Sequence, residues 1–181
     1  MEITWNTPKL LAAIKAAEMA ALKNTAQEIV RQAKINLKGA NAYAFGNLHR
    51  SINFSKPFQY GRYKVCYIGF SGGNKDAFRY AMSIERGRRP GKPPPSDALI
   101  PWVRLKLRET RVSRTGKTRR LKMADSDAKS KAFLVARAIG RRGTPARPFM
   151  LPAFDDKKRL LGPMFIALLK QEMRKRMPQT K

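Results

Sequence analysis

The stretch TPKLLAAIKAAEMAALKNTAQEIVRQAKINLK, residues 7–38 of this 181-residue chain, decides the fold because its length and pattern predict a single long helix. Thr7 can cap a helix, Pro8 suits its first turn, and neither Gly nor Pro follows until Gly39. Leu, Ile and Ala recur along the stretch at helical spacing. It therefore predicts one helix about 45 Å long. Such a helix either covers the core or extends in part to pack on a neighbouring subunit.

Two segments after this helix predict antiparallel β-strands. In residues 48–55, LHRSINFS, the set Leu48, Arg50, Ile52 and Phe54 is apolar except for Arg50 and alternates with polar residues. Residues 63–70, YKVCYIGF, are rich in aromatic and β-branched residues. Turn-forming residues 57–61 separate the two segments. Residues 48–70 are therefore predicted to form a β-hairpin, with Cys66 as a small buried hydrophobe in its second strand.

The second half of the chain contains further segments with helical signals. Residues 77–85 fit either a helix or a strand. Three longer segments predict helices: residues 96–108, 126–142 and 155–177. The last of them contains Gly162 and Pro163, where a kink would fall.

Three segments in this half show neither helical nor strand periodicity. Residues 86–95, RGRRPGKPPP, are too rich in Pro and Gly for anything but a loop. Residues 147–153, RPFMLPA, are predicted to be extended, since a residue before proline avoids the helical region. Residues 108–125 are dominated by Lys and Arg, and we expect a flexible basic loop or arm there.

Together these segments predict a single α+β domain over residues 1–181. Its small antiparallel β-sheet packs against the long N-terminal α-helix, and additional helices lie in the C-terminal half. The apolar content of 43% is typical of a folded chain, and the length allows a real core. No signal peptide or membrane span is predicted.

The charge is the strongest compositional signal. The chain has 39 Lys and Arg against 12 Asp and Glu, a formal net charge of +27. Residues 81–181 hold 27 basic and eight acidic residues, so most of the excess lies in the second half. Charge on this scale indicates contact with a polyanion. The alternative for the basic loops is simple solvation. The candidate contact residues are Arg88, Arg89, Arg111, Arg114, Lys117, Arg119, Arg120 and Lys122.

The sequence offers little for catalysis or metal binding. One histidine, His49, and one cysteine cannot build a tetrahedral zinc site. The paired acids, Asp125 with Asp127 and Asp155 with Asp156, fall at predicted helix starts, where a carboxylate interacts favourably with the helix dipole. No phosphate-binding loop motif is present. We therefore expect no enzyme activity, no catalytic residue, no metal and no cofactor.

Four segments, taken in order, carry a family resemblance. They are GNLHRSI at 46–52, YAMSIERG at 80–87, PPSDALIPWV at 94–103 and RPFMLPA at 147–153. This combination resembles the minor tail, or tail-completion, proteins of long-tailed double-stranded DNA phages, which act at the head–tail neck. The resemblance covers roughly residues 26–161.

The resemblance implies a structural virion protein without catalytic activity, assembled in the host cytoplasm and located in the virion neck or tail. It implies a ring, usually of six copies, that surrounds the DNA channel and completes the tail. Its implied partners are the tail terminator or tube and the head connector. Packaged DNA and the tape-measure protein are both candidates for contact with the ring, and no contact with a membrane is expected.

Four residues in these motifs are candidates for a subunit interface: Tyr80, Glu85, Arg147 and Phe149. Tyr80 and Phe149 suit either a core or an interface. Glu85, one of few acids, could pair with Arg147, pair with a neighbouring subunit, or remain solvated.

A rival function also fits the charge. A monomer or dimer that binds nucleic acid without sequence preference would be equally basic. Oligomeric mass separates this reading from a ring.

Overall fold

The computed structural model describes residues 7–40, 46–71, 75–107, 110–112, 118–120 and 123–176. Its helices are α1 Thr7–Gly39, α2 Asn47–Ser51, α3 Lys75–Arg86, α4 Ser96–Lys106, α5 Asp125–Arg142, α6 Met150–Lys157 and α7 Leu161–Arg176. A 3₁₀ turn, Lys158–Leu160, separates the last two. The strands are β1 Ile52–Phe54, β2 Phe58–Tyr60, β3 Tyr63–Val65, β4 Ile68–Phe70, β5 Thr110–Val112 and β6 Thr118–Arg120.

The predicted α+β fold class is confirmed. The long helix α1 packs against the small antiparallel sheet and against α6 and α7. Its buried positions run from Ala13 to Leu37 and are mostly alanine. Small side chains let two helices approach closely, which explains the close packing of α7 on α1. The helix thus serves the chain's own core along most of its length.

The sheet is an antiparallel hairpin in two parts. β1 pairs with β4 and places Ile52 opposite Phe70, while β2 pairs with β3 around a turn at Gly61. Gly61 has a φ of 57°, which glycine adopts without strain. Between the two ladders, the Ser55 amide donates to the Tyr67 carbonyl at 2.8 Å.

The first predicted strand begins too early. Residues 47–51 form helix α2, and only residues 52–54 are extended. Gly46 starts this turn with a φ of 77°, and Leu48 and Ser51 are buried three residues apart. Ser51 Oγ donates to the Leu48 carbonyl at 2.8 Å. Spacing of apolar residues over so few positions fits either a strand or a helical turn.

The core lies where α1, α2, β1, α3 and α6 meet. Its largest completely buried side chain is Phe149, whose ring lies edge-on to Phe70 with centroids 6.4 Å apart. Around it pack Leu37, Leu48 and Ile52.

The segment between α3 and α6 forms what we call the arm: α4, the β5–β6 hairpin and α5. α4 and α5 pack mainly against each other. Arg104 near the end of α4 pairs with Asp125 at the start of α5, with nitrogen and oxygen 2.5 Å apart. Residues 108–125, predicted to be a flexible basic loop or arm, contain two short strands at 110–112 and 118–120. These residues pair as antiparallel strands, because backbone pairing needs no apolar periodicity.

The C-terminal region also differs from its prediction. Residues 150–153 are helical rather than extended, and the helix expected from residue 155 is divided by the 3₁₀ turn. Pro152 and Pro163 both lie in the first turn of a helix, where a missing amide hydrogen costs nothing. Residues 77–85 belong to helix α3. None of the helices in the described ranges has the length and apolarity needed to cross a membrane.

Candidate polyanion-binding surface

The arm joins the rest of the chain through two antiparallel segments, residues 87–91 and 140–147, which we call the stem. The Arg88 amide donates to the Thr144 carbonyl at 2.9 Å, and the Thr144 amide returns a bond to the Arg88 carbonyl at 2.8 Å. The Gly91 amide donates to the Gly140 carbonyl at 2.8 Å. The stem is therefore a short backbone ladder between residues 49 to 56 positions apart in the chain.

Two glycines make this close approach possible. Gly87 and Gly143 both have a φ of 72°. A Cβ built on Gly143 would lie 2.0 Å from the Arg88 carbonyl oxygen, and one on Gly87 would lie 2.7 Å from the Thr144 oxygen. Only glycine combines this φ with so little space. These glycines hold the two basic segments side by side.

The stem region is strongly cationic. Residues 86–92 and 140–147 contain seven basic residues and no acidic residue. Those with exposed side chains are Arg86, Arg88, Arg89, Lys92, Arg141, Arg142 and Arg147. The Arg88 guanidinium also donates to the Lys92 carbonyl, which braces its own loop. Guanidinium groups fix phosphate and carboxylate through paired donors, so this surface suits a polyanion.

The predicted contact residues fall into two places in the structure. Arg88 and Arg89 lie in the stem, while Arg111, Arg119 and Arg120 lie on the β5–β6 hairpin, where Arg111 and Arg119 are opposite in register. Arg114, Lys117 and Lys122 lie outside the described residues.

Sequence reasoning missed the basic residues at the end of α5. Arg137 and Arg141 are one helical turn apart, and Arg142 follows directly. Cations in the last turn also favour the helix dipole, which is the ordinary explanation for them. Their position beside Arg88 and Arg89 depends on the stem ladder, which has no local sequence signal.

The four candidate interface residues meet inside the chain. Glu85 accepts hydrogen bonds from the amides of Phe149 at 2.9 Å, Met150 at 3.0 Å and Leu151 at 2.9 Å. Its carboxylate therefore caps the N-terminus of α6 from a different helix. Phe149 is completely buried in the core. Its side chain is accordingly unavailable to a neighbouring subunit.

Arg147 and Tyr80 lie near each other. The Arg147 amide donates to the Ile84 carbonyl at 2.7 Å, and its guanidinium donates to the Ala40 carbonyl at 3.1 Å. Glu85 thus accepts hydrogen bonds from backbone amides, and Arg147 donates to backbone carbonyls. Burial raises the pKa of the Tyr80 phenol, and the Arg147 charge opposes part of that rise. Tyr80 remains about half exposed, and Arg147 is exposed as well.

The groups suited to chemistry are scattered. Burial first, and then Lys38, Lys34 and Arg50, lower the pKa of His49, so its imidazole is neutral at pH 7. Cys66 is half-buried, and its thiol donates to the Ser55 carbonyl at 3.2 Å. Burial raises the pKa of this thiol, which makes it a poor nucleophile. Among the described residues, no three His, Cys, Asp or Glu side chains are grouped closely enough to hold a metal ion.

Comparison with known proteins adds no relative. No protein-family model, no curated protein and no solved structure matches this chain.

Proposed function

We propose that this chain is a structural subunit of a phage neck or tail, which forms a ring that completes the tail and joins it to the head connector around the DNA channel. Its basic stem and arm hairpin face the DNA or another acidic component of that assembly.

The observation that carries the proposal is the convergence of three motif segments on one junction. Leu48 and Ile52, from the first motif, pack in the same core as Ala81 and Phe149. Glu85 of the second motif caps the helix that begins in the fourth. Residues that match a family pattern at distant positions thus support one another physically, as a shared framework requires.

The charge distribution supports the same proposal. The arm from Ser96 to Arg142 contains 14 basic and four acidic residues, a net charge of +10. Such an arm gains free energy when it releases the counterions of a polyanion. In a ring around a DNA channel, the DNA is a polyanion that every copy can contact.

Imaging particles assembled without this protein tests the proposal. We expect heads and tails that do not join, with joining restored when the purified chain is added back. Normally joined virions would overturn the proposal. A chain that stays monomeric on the tail end and binds duplex DNA with a steep salt dependence would instead support the rival function.

The basic hairpin gives a first prediction. Replacing Arg111, Arg114, Lys117, Arg119, Arg120 and Lys122 by Ser should leave the fold intact, because the core cluster of the described residues is built from α1, α2, β1, α3 and α6. If about three of them contact phosphates at once, the slope of log K against log salt should flatten by about 3, with roughly 100-fold weaker binding near 0.15 M salt. Fluorescence anisotropy with a short random-sequence duplex measures both quantities.

A matched control removes the same charge elsewhere. Six exposed cations outside the arm and stem serve for this: Lys15, Lys23, Lys56, Arg62, Lys170 and Arg174. Their replacement by Ser should change the slope by less than half as much. Equal changes in both variants would show that net charge, rather than the hairpin, determines binding.

A further inference from the structure

The arm carries an exposed apolar groove with a cationic rim. α5 exposes Phe133 and Leu134, at 57% and 61% of their surface. A groove of about 550 Å³ runs beside Phe133, between α5 and the segment before α4. Pro93, Pro94, Arg137 and Arg141 line this groove with Phe133, and Leu134 lines a neighbouring hollow that shares Phe133 and also contains Asp97 and Lys129. We call the two hollows together the arm groove. Two adjacent large apolar side chains in a chain of this charge indicate a contact surface.

A second apolar surface lies on the other side of the stem. Tyr67, Leu151 and Phe154 are all substantially exposed, Leu151 at 62%. They surround a cleft of about 380 Å³ whose wall includes Met82 and Phe70. We call these three residues and the cleft the body surface. Asp155 and Asp156 follow directly in α6.

We propose that the arm groove of one copy of this chain binds the body surface of the next copy. The contact joins two different surfaces, so it is heterologous and repeats from copy to copy until a ring closes. The inference rests on the proposed function in that a ring needs such a head-to-tail contact.

Charge favours this pairing over a contact between two arms. An arm–arm contact would place Lys129, Arg137 and Arg141 against their own copies. Among the described helices, α6 is the one in which acidic residues outnumber basic ones. Asp155 pairs within its own chain with Lys158, whose ammonium lies 5.7 Å from the centre of the Phe154 ring. The exposed Asp156 is therefore the α6 carboxylate that can face the cationic rim, and opposite charge at this point favours the body surface over a second arm as the partner.

The position of the arm also favours contact with a neighbour. α4 and α5 pack mainly against each other, and backbone bonds of the stem hold them to the rest of the chain. Within the described part of the chain, the outer face of α5 leaves Phe133 and Leu134 exposed. A second copy supplies one.

Two substitutions that introduce a positive charge test the pairing. Leu134→Lys disables the arm groove, and Leu151→Lys disables the body surface, because each buries an unpaired ammonium group in the contact. Wild-type chain should form oligomers, measured by size-exclusion chromatography with light scattering. Each variant alone should remain at the 20.5 kDa of one chain.

Mixing the two variants is the decisive step. An intact groove on the Leu151→Lys chain should bind the intact body surface on the Leu134→Lys chain. Both remaining ends are disabled, so the mixture should stop at a 1:1 dimer of twice the chain mass. Leu11→Lys, an exposed leucine on α1, is the matched control and should assemble like wild type.

Several outcomes would overturn the pairing. They are variants that assemble normally, a mixture that stays monomeric, or wild-type chain that stays monomeric at about 1 mM, the weak end of the affinity scale. Circular dichroism checks folding, and Phe133→Lys with Phe154→Lys replaces the pair if either variant unfolds. Wild-type rings that survive both substitutions contradict this pairing alone, whereas normally joined virions without the protein contradict the proposed function.

Discussion

Phe149→Ala should lower the free energy of unfolding by about 3–5 kcal/mol, the usual cost of removing a completely buried phenylalanine. The ring is fully buried, lies against Phe70, and shares its core with residues of α1, α2 and α3. Truncation would leave a cavity, because the helices and the strand around the ring cannot all move inward to fill it. Urea unfolding followed by circular dichroism measures the change.

The same variant separates a core role from an interface role. A core role predicts that isolated monomers lose stability, whereas an interface role predicts weaker assembly with monomers unchanged. Phe133→Ala is the matched control, since its ring is largely exposed, and should cost less than about 1 kcal/mol in the monomer. A loss below about 1 kcal/mol for Phe149→Ala would show that the site relaxes and that the ring does not hold the core together.

The long secondary-structure elements could be predicted from the sequence, and the short ones could not. α1 has 33 residues, so its apolar stripe and missing Gly or Pro leave one interpretation. Residues 48–51 form a single helical turn, and residues 110–112 form a strand of three residues. Over so few residues, the spacing of apolar side chains does not distinguish the helical period from the strand period. Their structure is decided by tertiary contacts.

The site shows the same division. The charge of Arg88 and Arg89 was visible in a loop rich in Gly and Pro. Their position beside the end of α5 cannot be predicted from the sequence, because it depends on a backbone ladder between Arg88 and Thr144. The left-handed φ values of Gly87 and Gly143 allow that ladder, but a glycine in a loop does not name its partner.

α6 shows how a distant residue can overrule a local signal. Pro148 and Pro152 predict extended backbone, yet the helix begins at Met150. Its first amides are satisfied by the carboxylate of Glu85, which is 64 to 66 residues earlier in the chain. Local propensity is a weak guide where tertiary contacts satisfy a helix end.

Glu85→Ala should therefore cost about 3 kcal/mol in the free energy of unfolding, the second large effect we expect. The substitution leaves the amides of Phe149 and Met150 without an acceptor in a partly buried position, and it removes negative charge from the N-terminus of α6. Water can replace the bond to Leu151, which is exposed, so the loss is smaller than three full charged hydrogen bonds. Urea unfolding of the monomer measures it.

Two further variants distinguish helix capping from an ion pair with Arg147. Arg147→Gln keeps the main-chain bond to Ile84 and should cost less than about 1 kcal/mol. Glu28→Ala, which removes an α1 carboxylate paired with Arg31 at 3.3 Å, should cost less still. If Arg147→Gln were as damaging as Glu85→Ala, attraction between the two side chains would be the dominant contribution. A small loss for Arg147→Gln beside a large one for Glu85→Ala assigns the stabilisation to the cap, because only the cap depends on the carboxylate and not on the guanidinium.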